Sequence, residues 1–143
     1  MVGMILTGHG NFASGLYSSL KLIAGEQKDF IVVDFDGNGT EKIEADIKNA
    51  LDTLKECEGI IVFSDLAGGC PFKTAVVISQ DYKNVKVLAG TNLPMLCEIA
   101  LTRTMVNDID SLVNTALSVG KDGVQEFVLE DVINGPADGE DGI

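Results

Sequence analysis

The segment Met4–Gly15 (MILTGHGNFASG) shows the unit from which the chain is built, because an apolar strand runs directly into a glycine-bracketed turn and then into a helix. Met4 to Thr7 is a short apolar run bounded by glycines, typical of a buried strand. From Ala13 onward the apolar residues recur at helical spacing until Gly25 ends the pattern. The segment therefore predicts one strand and one helix joined by a short turn.

The same alternation of strand and helix recurs along the chain. Further apolar runs predict three more strands, at Phe30–Phe35, Gly59–Ser64 and Val85–Ala89. A helical pattern begins near Thr40, and three further helical patterns cover Pro71–Ser79, Pro94–Arg103 and Asp108–Val119. Four apolar strands, each followed by a helix, predict an α/β fold with a doubly wound, mostly parallel sheet. Right-handed crossovers make 2-1-3-4 the simplest strand order for a chain of this length.

The C-terminal part contains two further segments. Val124 to Leu129 (VQEFVL) is interpreted as an edge strand. Residues 130–143 (EDVINGPADGEDGI) carry five acidic residues and no basic one, which predicts a disordered, solvated tail. We expect one folded domain over residues 1–129 and an acidic tail over residues 130–143.

Composition excludes several classes of function. The net charge of −12 would repel nucleic acids and anionic membrane surfaces. Three cysteines without CxxC spacing indicate neither a disulfide framework nor a zinc site, and suit a reducing compartment. No stretch approaches the roughly 18 to 20 apolar residues of a membrane helix, and the N-terminus lacks a secretory signal pattern. We therefore expect a cytoplasmic protein.

Two chemically active side chains are expected to meet at one crevice. His9, the only histidine, follows strand 1, and Asp65 follows strand 3, whose carboxyl end neighbours that of strand 1 in the predicted order. An aspartate beside one imidazole nitrogen fixes the tautomer and leaves the other nitrogen free to attack. Taken alone, each residue could equally cap a helix or bond within a turn. Together they make His9 a candidate nucleophile and Asp65 its orienting partner.

A glycine-rich loop, LAGGCPF (66–72), enters the third helix beside this pair. Gly68 and Gly69 remove side chains, so that backbone N–H groups near Cys70 could converge on a phosphate at the positive end of the helix. Gly10 would likewise permit close approach of a phosphoryl group to His9. A plain tight turn would explain the same residues.

Other chemistries find less support. A phosphatase-type cysteine needs an arginine six residues beyond Cys70, where this chain has Val76. A flavin would need aromatic partners, but Tyr17 and Tyr82 lie outside the loops at the strand ends. No GxxxxGK[ST] phosphate loop occurs, and one histidine with scattered carboxylates has no metal-ligand spacing. We expect no cofactor and no metal.

Three motifs together resemble the IIA component of the mannose-type sugar phosphotransferase system. They are GHG (8–10), SDLAGGCPF (64–72) and AGTNLPMLCE (89–98), in this order. The resemblance covers about residues 1–129. It implies a phosphohistidine carrier in which His9 accepts a phosphoryl group from phospho-HPr and passes it to a IIB component, with Asp65 orienting the imidazole. Membrane IIC and IID components would then use the phosphoryl group for sugar uptake.

The resemblance also implies a homodimer in which the last strand, here Val124–Leu129, is exchanged between subunits. The family commonly has a hydroxyl residue where this chain has Cys70, and a thiol is a weaker donor to phosphoryl oxygens. Two other functions stay open at this point. One is the phosphocarrier subunit of a dihydroxyacetone kinase system, and the other is a non-catalytic, flavodoxin-like ligand-binding domain.

Overall fold

The structure, a computed structural model, describes residues 1–129 as four strands and five helices. The strands are β1 (Gly3–His9), β2 (Phe30–Phe35), β3 (Ile60–Phe63) and β4 (Val85–Leu88). The helices are α1 (Phe12–Ala24), α2 (Glu41–Leu54), α3 (Cys70–Ser79), α4 (Leu93–Thr102) and α5 (Ile109–Asp122). No helix in this part of the chain is both long and apolar enough to cross a membrane.

The four strands form one parallel sheet in the order β2-β1-β3-β4, so the predicted α/β class and strand order are confirmed. β1 lies between β2 and β3, at the point where the chain reverses direction across the sheet. In the β1–β2 register, His9 is paired with Phe35. β1 is longer than its apolar run predicts, because Gly8 and His9 still pair with β2. His9 is therefore the last residue of the central strand, rather than a residue of the following loop.

Helices cover both faces of the sheet, and this explains the continuous apolar run of β1. Met4 and Leu6 face a core that also contains side chains of α1, α4 and α5. Ile5 faces the opposite core, built with α2 and α3. Residues 2–7 are consequently buried on both faces.

The last helix returns toward the carboxyl ends of the strands, because no strand separates α4 from α5. The side chain of Asn92 accepts a hydrogen bond from the N–H of Met95 at 3.3 Å and donates one to the carbonyl of Gly120 at 2.8 Å. Asn92 thus caps the start of α4 and ties it to the end of α5. The chain therefore leaves α5 near the carboxyl ends of the strands, where His9 also lies.

The predicted edge strand does not form within the single chain. Residues 124–128 have no regular secondary structure, and the side chains of Val124 and Phe127 are 79% and 75% exposed. Among residues 1–129 the segment pairs with no strand, so the expected edge strand is not formed there. Its exchange with a second copy stays a prediction, and the acidic tail lies outside the described residues.

At the opposite end of the sheet, a buried arginine joins the starts of two strands. Arg103 is 1% exposed, and its guanidinium donates to the carbonyls of Val2 at 2.9 Å and of Asp29 at 3.1 Å. It also donates to the carbonyl of Lys28 and to Oε1 of Gln27. Burial lowers the pKa of Arg103, yet arginine stays protonated in proteins. Within residues 1–129 no carboxylate lies within 4.0 Å of it, so its two terminal nitrogens are held by three backbone carbonyls and one amide oxygen, while Nε has no partner in that range.

Candidate functional site

The structure brings His9 and Asp65 together at the end of the central strand. Nδ1 of the imidazole lies 2.7 Å from Oδ2 of Asp65, and the backbone N–H of His9 donates to the same oxygen at 2.8 Å. The other carboxylate oxygen accepts from the N–H of Leu66 at 2.7 Å. One carboxylate therefore fixes both the backbone and the ring of His9. The predicted juxtaposition of the two side chains is confirmed.

The surroundings of Asp65 favour its charged form. Burial would raise the pKa of Asp65, but hydrogen bonds from the backbone and imidazole of His9 and from the N–H of Leu66 act against it. Their combined effect lowers the pKa of Asp65 below its ordinary value. Asp65 is thus ionised at neutral pH and can only accept hydrogen bonds.

This pairing determines which ring nitrogen of His9 is available for chemistry. Because an ionised carboxylate only accepts, the hydrogen bond at Nδ1 places the imidazole proton on that nitrogen. In the neutral ring, Nε2 then carries the lone pair. The His9 side chain is 46% exposed and that of Asp65 only 11% exposed, so the imidazole is open to solvent while the carboxylate is held within the protein. The arrangement can accept an electrophile at Nε2.

The glycine loop approaches the imidazole closely at Gly69. A Cβ atom on Gly69 would lie 2.9 Å from Cε1 of His9 and 3.6 Å from Nε2. Gly68 adopts a φ of +83°, which L side chains rarely tolerate, and a Cβ there would meet nothing within 4 Å. The two glycines therefore have different roles, since Gly69 provides space for the ring and Gly68 provides the turn.

The remaining predicted phosphate-binding residues are placed as follows. Cys70 begins α3 and is partly buried, with its Sγ 3.9 Å from Oγ1 of Thr74. Gly10 has a φ of +57°, and its N–H donates to the carbonyl of Phe35 at 2.7 Å. That N–H is engaged within the protein, so Gly10 contributes space and turn geometry and no free donor.

Phe35 is a neighbour of His9 that the sequence motifs did not identify. Its ring lies edge-on to the imidazole, with 5.6 Å between ring centroids and 72° between ring planes. The available signal was its position as the last residue of the second apolar strand, which the predicted order places beside strand 1. Only the register shows that the two rings are paired.

Two grooves are found in the described part of the chain, and neither is lined by His9 or Asp65. The larger lies between α2 and α3 and is lined by residues such as Lys48 and Tyr82. The smaller, of about 410 Å³, is lined by Asn11, Asp34, Phe35 and others, including Gly10, the residue after His9. Within residues 1–129, no group of three His, Cys, Asp or Glu side chains could hold a metal ion.

Comparison with known proteins points to one family. The family model described as PTS system fructose IIA component (EIIA-man) matches residues 3–117. The chain is 30% identical over 132 residues to the PTS system mannose-specific EIIAB component of Escherichia coli K12. That alignment covers 92% of this chain and only 41% of the relative. The PTS system fructose-specific EIIA component of Bacillus subtilis is 31% identical over 104 residues, covering 72% of this chain and 71% of that protein.

Solved structures agree with this comparison. The phosphotransferase system component EIIA from Streptococcus agalactiae superposes with a TM-score of 0.81 at 34% identity, covering 88% of this chain and 97% of the other. The mannose/sorbose specific IIA subunit from Enterococcus faecalis gives a TM-score of 0.80 at 28% identity, covering 88% of this chain and 94% of the other.

Proposed function

The chain belongs to the family of the PTS system fructose IIA component, which includes mannose-type IIA proteins, and from this we propose that it carries a phosphoryl group on His9. The observation that carries the proposal is the 2.7 Å hydrogen bond between Nδ1 of His9 and Asp65, which in the neutral imidazole places the lone pair on Nε2 of a half-exposed ring. A phosphoryl carrier needs such a nucleophile, accessible to two partners in turn.

The proposed donor is phospho-HPr and the proposed acceptor is a separate IIB component. Membrane IIC and IID components would complete sugar uptake, and the reaction would take place in the cytoplasm. Since the phosphoryl group is passed between proteins, His9 never contacts the sugar. The identity of the sugar is therefore a property of the later partners.

In the proposed step, Nε2 of His9 attacks the phosphorus of the phosphohistidine on HPr. A new bond forms between phosphorus and Nε2 as the phosphorus–nitrogen bond of the donor breaks, and its electron pair returns to the donor's imidazole. The proton on Nδ1 stays there, and the Asp65 carboxylate stabilises the positive charge that develops on the ring. In the transfer to IIB, the phosphorus–Nε2 bond of His9 breaks as a bond forms between phosphorus and the nucleophile of IIB, and the electron pair returns to Nε2.

The loop before α3 is the proposed cradle for the phosphoryl oxygens. In the described part of the chain, the N–H groups of Gly68 and Cys70 form no hydrogen bond with the protein. The N-terminus of α3 lacks a side-chain cap and adds a partial positive charge next to the imidazole. Phosphoryl transfer depends mostly on positioning and electrostatic stabilisation, which these groups can supply without a nucleotide or metal site.

The proposal is tested by labelling. The chain is incubated with labelled phosphoenolpyruvate, the general phosphotransferase enzyme and HPr, and we expect one labelled histidine per chain. His9→Ala should remove the label, and unchanged labelling of that variant would refute the assignment. Subsequent incubation with purified IIB should discharge the label. Discharge to a dihydroxyacetone kinase subunit instead would place the carrier in that pathway, and a chain that accepts no phosphoryl group would be a binding domain.

We further propose that the chain forms a homodimer through residues 124–129. Val124, Phe127 and Leu129 are 79%, 75% and 65% exposed, although the segment VQEFVL is rich in apolar residues, among them the strand-forming valine and phenylalanine. Pairing with the sheet edge of a second copy would cover these side chains. Light scattering should give the mass of a dimer for the wild type and of a monomer for Phe127→Asp. A monomeric wild type at micromolar concentration would contradict this proposal.

A further inference from the structure

We propose that Phe35 is a positioning residue for phosphoryl transfer, an inference that rests on the proposed function of His9. Its ring holds the imidazole in the orientation that presents Nε2 to the partner protein. The argument follows from the position of Phe35 in the sheet, its contact with the imidazole and the groups on the other side of β1.

The sheet places the two rings side by side. Phe35 is the last residue of β2 and is the register partner of His9, the last residue of β1. Neighbouring residues of paired strands project from the same face of a sheet. The centroid separation of 5.6 Å and the interplanar angle of 72° correspond to the favourable edge-to-face geometry of aromatic pairs.

Phe35 also fixes the backbone on which the imidazole stands. Its carbonyl accepts the N–H of Gly10 at 2.7 Å, immediately after His9, where the chain turns with a φ of +57°. Phe35 therefore contacts the imidazole of His9 through its ring and the next residue, Gly10, through its carbonyl.

Phe35 and Asp65 support the imidazole from opposite directions, since β2 and β3 lie on opposite sides of β1. Asp65 holds Nδ1, and Gly69 approaches so closely that a Cβ would lie 2.9 Å from Cε1. A single hydrogen bond at Nδ1 leaves the ring free to tilt about that bond. The edge contact with Phe35 restricts this tilt from the side that Asp65 does not reach.

The test compares two phenylalanines at the two ends of β2. Phe35→Leu removes the ring next to His9 and keeps an apolar side chain. Phe30→Leu is the matched control, because Phe30 stacks on Tyr17 with 4.7 Å between centroids, at the other end of the same strand. Phe35→Tyr keeps the ring, and the open groove of about 410 Å³ beside it leaves space for the hydroxyl.

Three quantities are measured: the kcat of phosphoryl transfer at saturating phospho-HPr, the KM for phospho-HPr, and the three-bond NMR couplings that report χ1 of His9. We expect Phe35→Leu to lower kcat about two- to tenfold with KM unchanged, in line with the energy of an aromatic pair. The couplings should change from one rotamer to an average of several. Phe35→Tyr should keep the wild-type kcat and couplings, and Phe30→Leu should change neither quantity.

The outcomes separate this inference from the proposed function. If wild-type protein accepts a phosphoryl group on His9 while Phe35→Leu keeps the wild-type kcat and couplings, the positioning role is wrong and the carrier function stands. If wild-type protein accepts no phosphoryl group, the carrier function fails first. A rise in KM with unchanged kcat would mean that Phe35 contacts the partner and does not orient the imidazole, which would also overturn the inference.

Discussion

Adding one methyl group at Gly69 should impair phosphoryl transfer while the fold is retained. The backbone of Gly69 has φ of −74° and ψ of 168°, an extended conformation that alanine adopts readily. Gly69→Ala therefore introduces no backbone strain. Alanine is a poor residue before a helix, but it also reduces the freedom of the unfolded chain, and these effects, each about 0.5 to 1 kcal/mol, oppose one another.

The steric effect of the methyl group falls on the imidazole. The new Cβ would lie 2.9 Å from Cε1 of His9, whereas ordinary contacts begin at 3.4 Å, so the ring must move by at least about 0.5 Å. The carbonyl of Leu66, 3.3 Å away, prevents the methyl group from retreating far. Since a misplacement of about 1 Å can cost about 100-fold in rate, we expect Gly69→Ala to slow transfer about 10- to 100-fold.

The assay measures the rate of labelling of His9 by phospho-HPr, together with unfolding in urea. Gly25→Ala is the control, because Gly25 follows the end of α1 away from His9, its φ of +81° penalises alanine, and no neighbouring atom lies within 4 Å of the new Cβ. We expect Gly25→Ala to lose about 1 to 3 kcal/mol of stability with little change in rate per folded molecule. A Gly69→Ala protein that transfers at the wild-type rate would show that the loop does not constrain the imidazole.

Three further changes test the site and its supports. Asp65→Asn should leave the chain folded and slow transfer, because the carboxylate that stabilises the charged ring is lost, and wild-type rates would remove Asp65 from the mechanism. Since folding lowers the pKa of Asp65, its stabilising effect is present above the unfolded value of about 4 and is lost as the pH falls through the folded value. The difference in unfolding free energy between wild type and Asp65→Asn should accordingly shrink below about pH 4, and a constant difference would contradict this reasoning. Arg103→Met should cost about 1 to 3 kcal/mol in urea unfolding, because the buried carbonyl of Val2 loses the guanidinium donor and that of Asp29 keeps only the N–H of Met4, and a loss below about 0.5 kcal/mol would contradict this role. Asn92→Ala should cost about 1 to 2 kcal/mol by removing the cap of α4 and its bond to Gly120, with labelling of His9 unchanged; a specific loss of labelling would instead place Asn92 in the site.

The fold and the central pair could be predicted from the sequence for a simple physical reason. A strand covered on both faces must be apolar throughout, so β1 is visible as a continuous run. Short right-handed connections then restrict the strand order and place the ends of strands 1 and 3 side by side. The meeting of His9 and Asp65 follows from that order alone.

Features that depend on strand register or on a single side chain could not be predicted from these sequence patterns. The contact between Phe35 and His9 exists because β1 continues through His9, and apolar patterning does not show where pairing stops. Arg103 was expected only as the end of a helix, because hydropathy treats arginine as a surface residue. Its burial depends on carbonyl oxygens supplied by residues far away in the chain.

The buried guanidinium of Arg103 has a consequence for the kinetics of folding. Its acceptors belong to Val2 and to residues 27–29, which are separated from it by 101 and by 74 to 76 residues. These groups converge only after β1 and β2 have paired and α4 has docked, so the contacts are absent from an early nucleus formed by local structure. Loss of the guanidinium should therefore accelerate unfolding and leave the refolding rate almost unchanged. The contacts of Arg103 thus form late in folding, and they lengthen the lifetime of the native state by slowing unfolding.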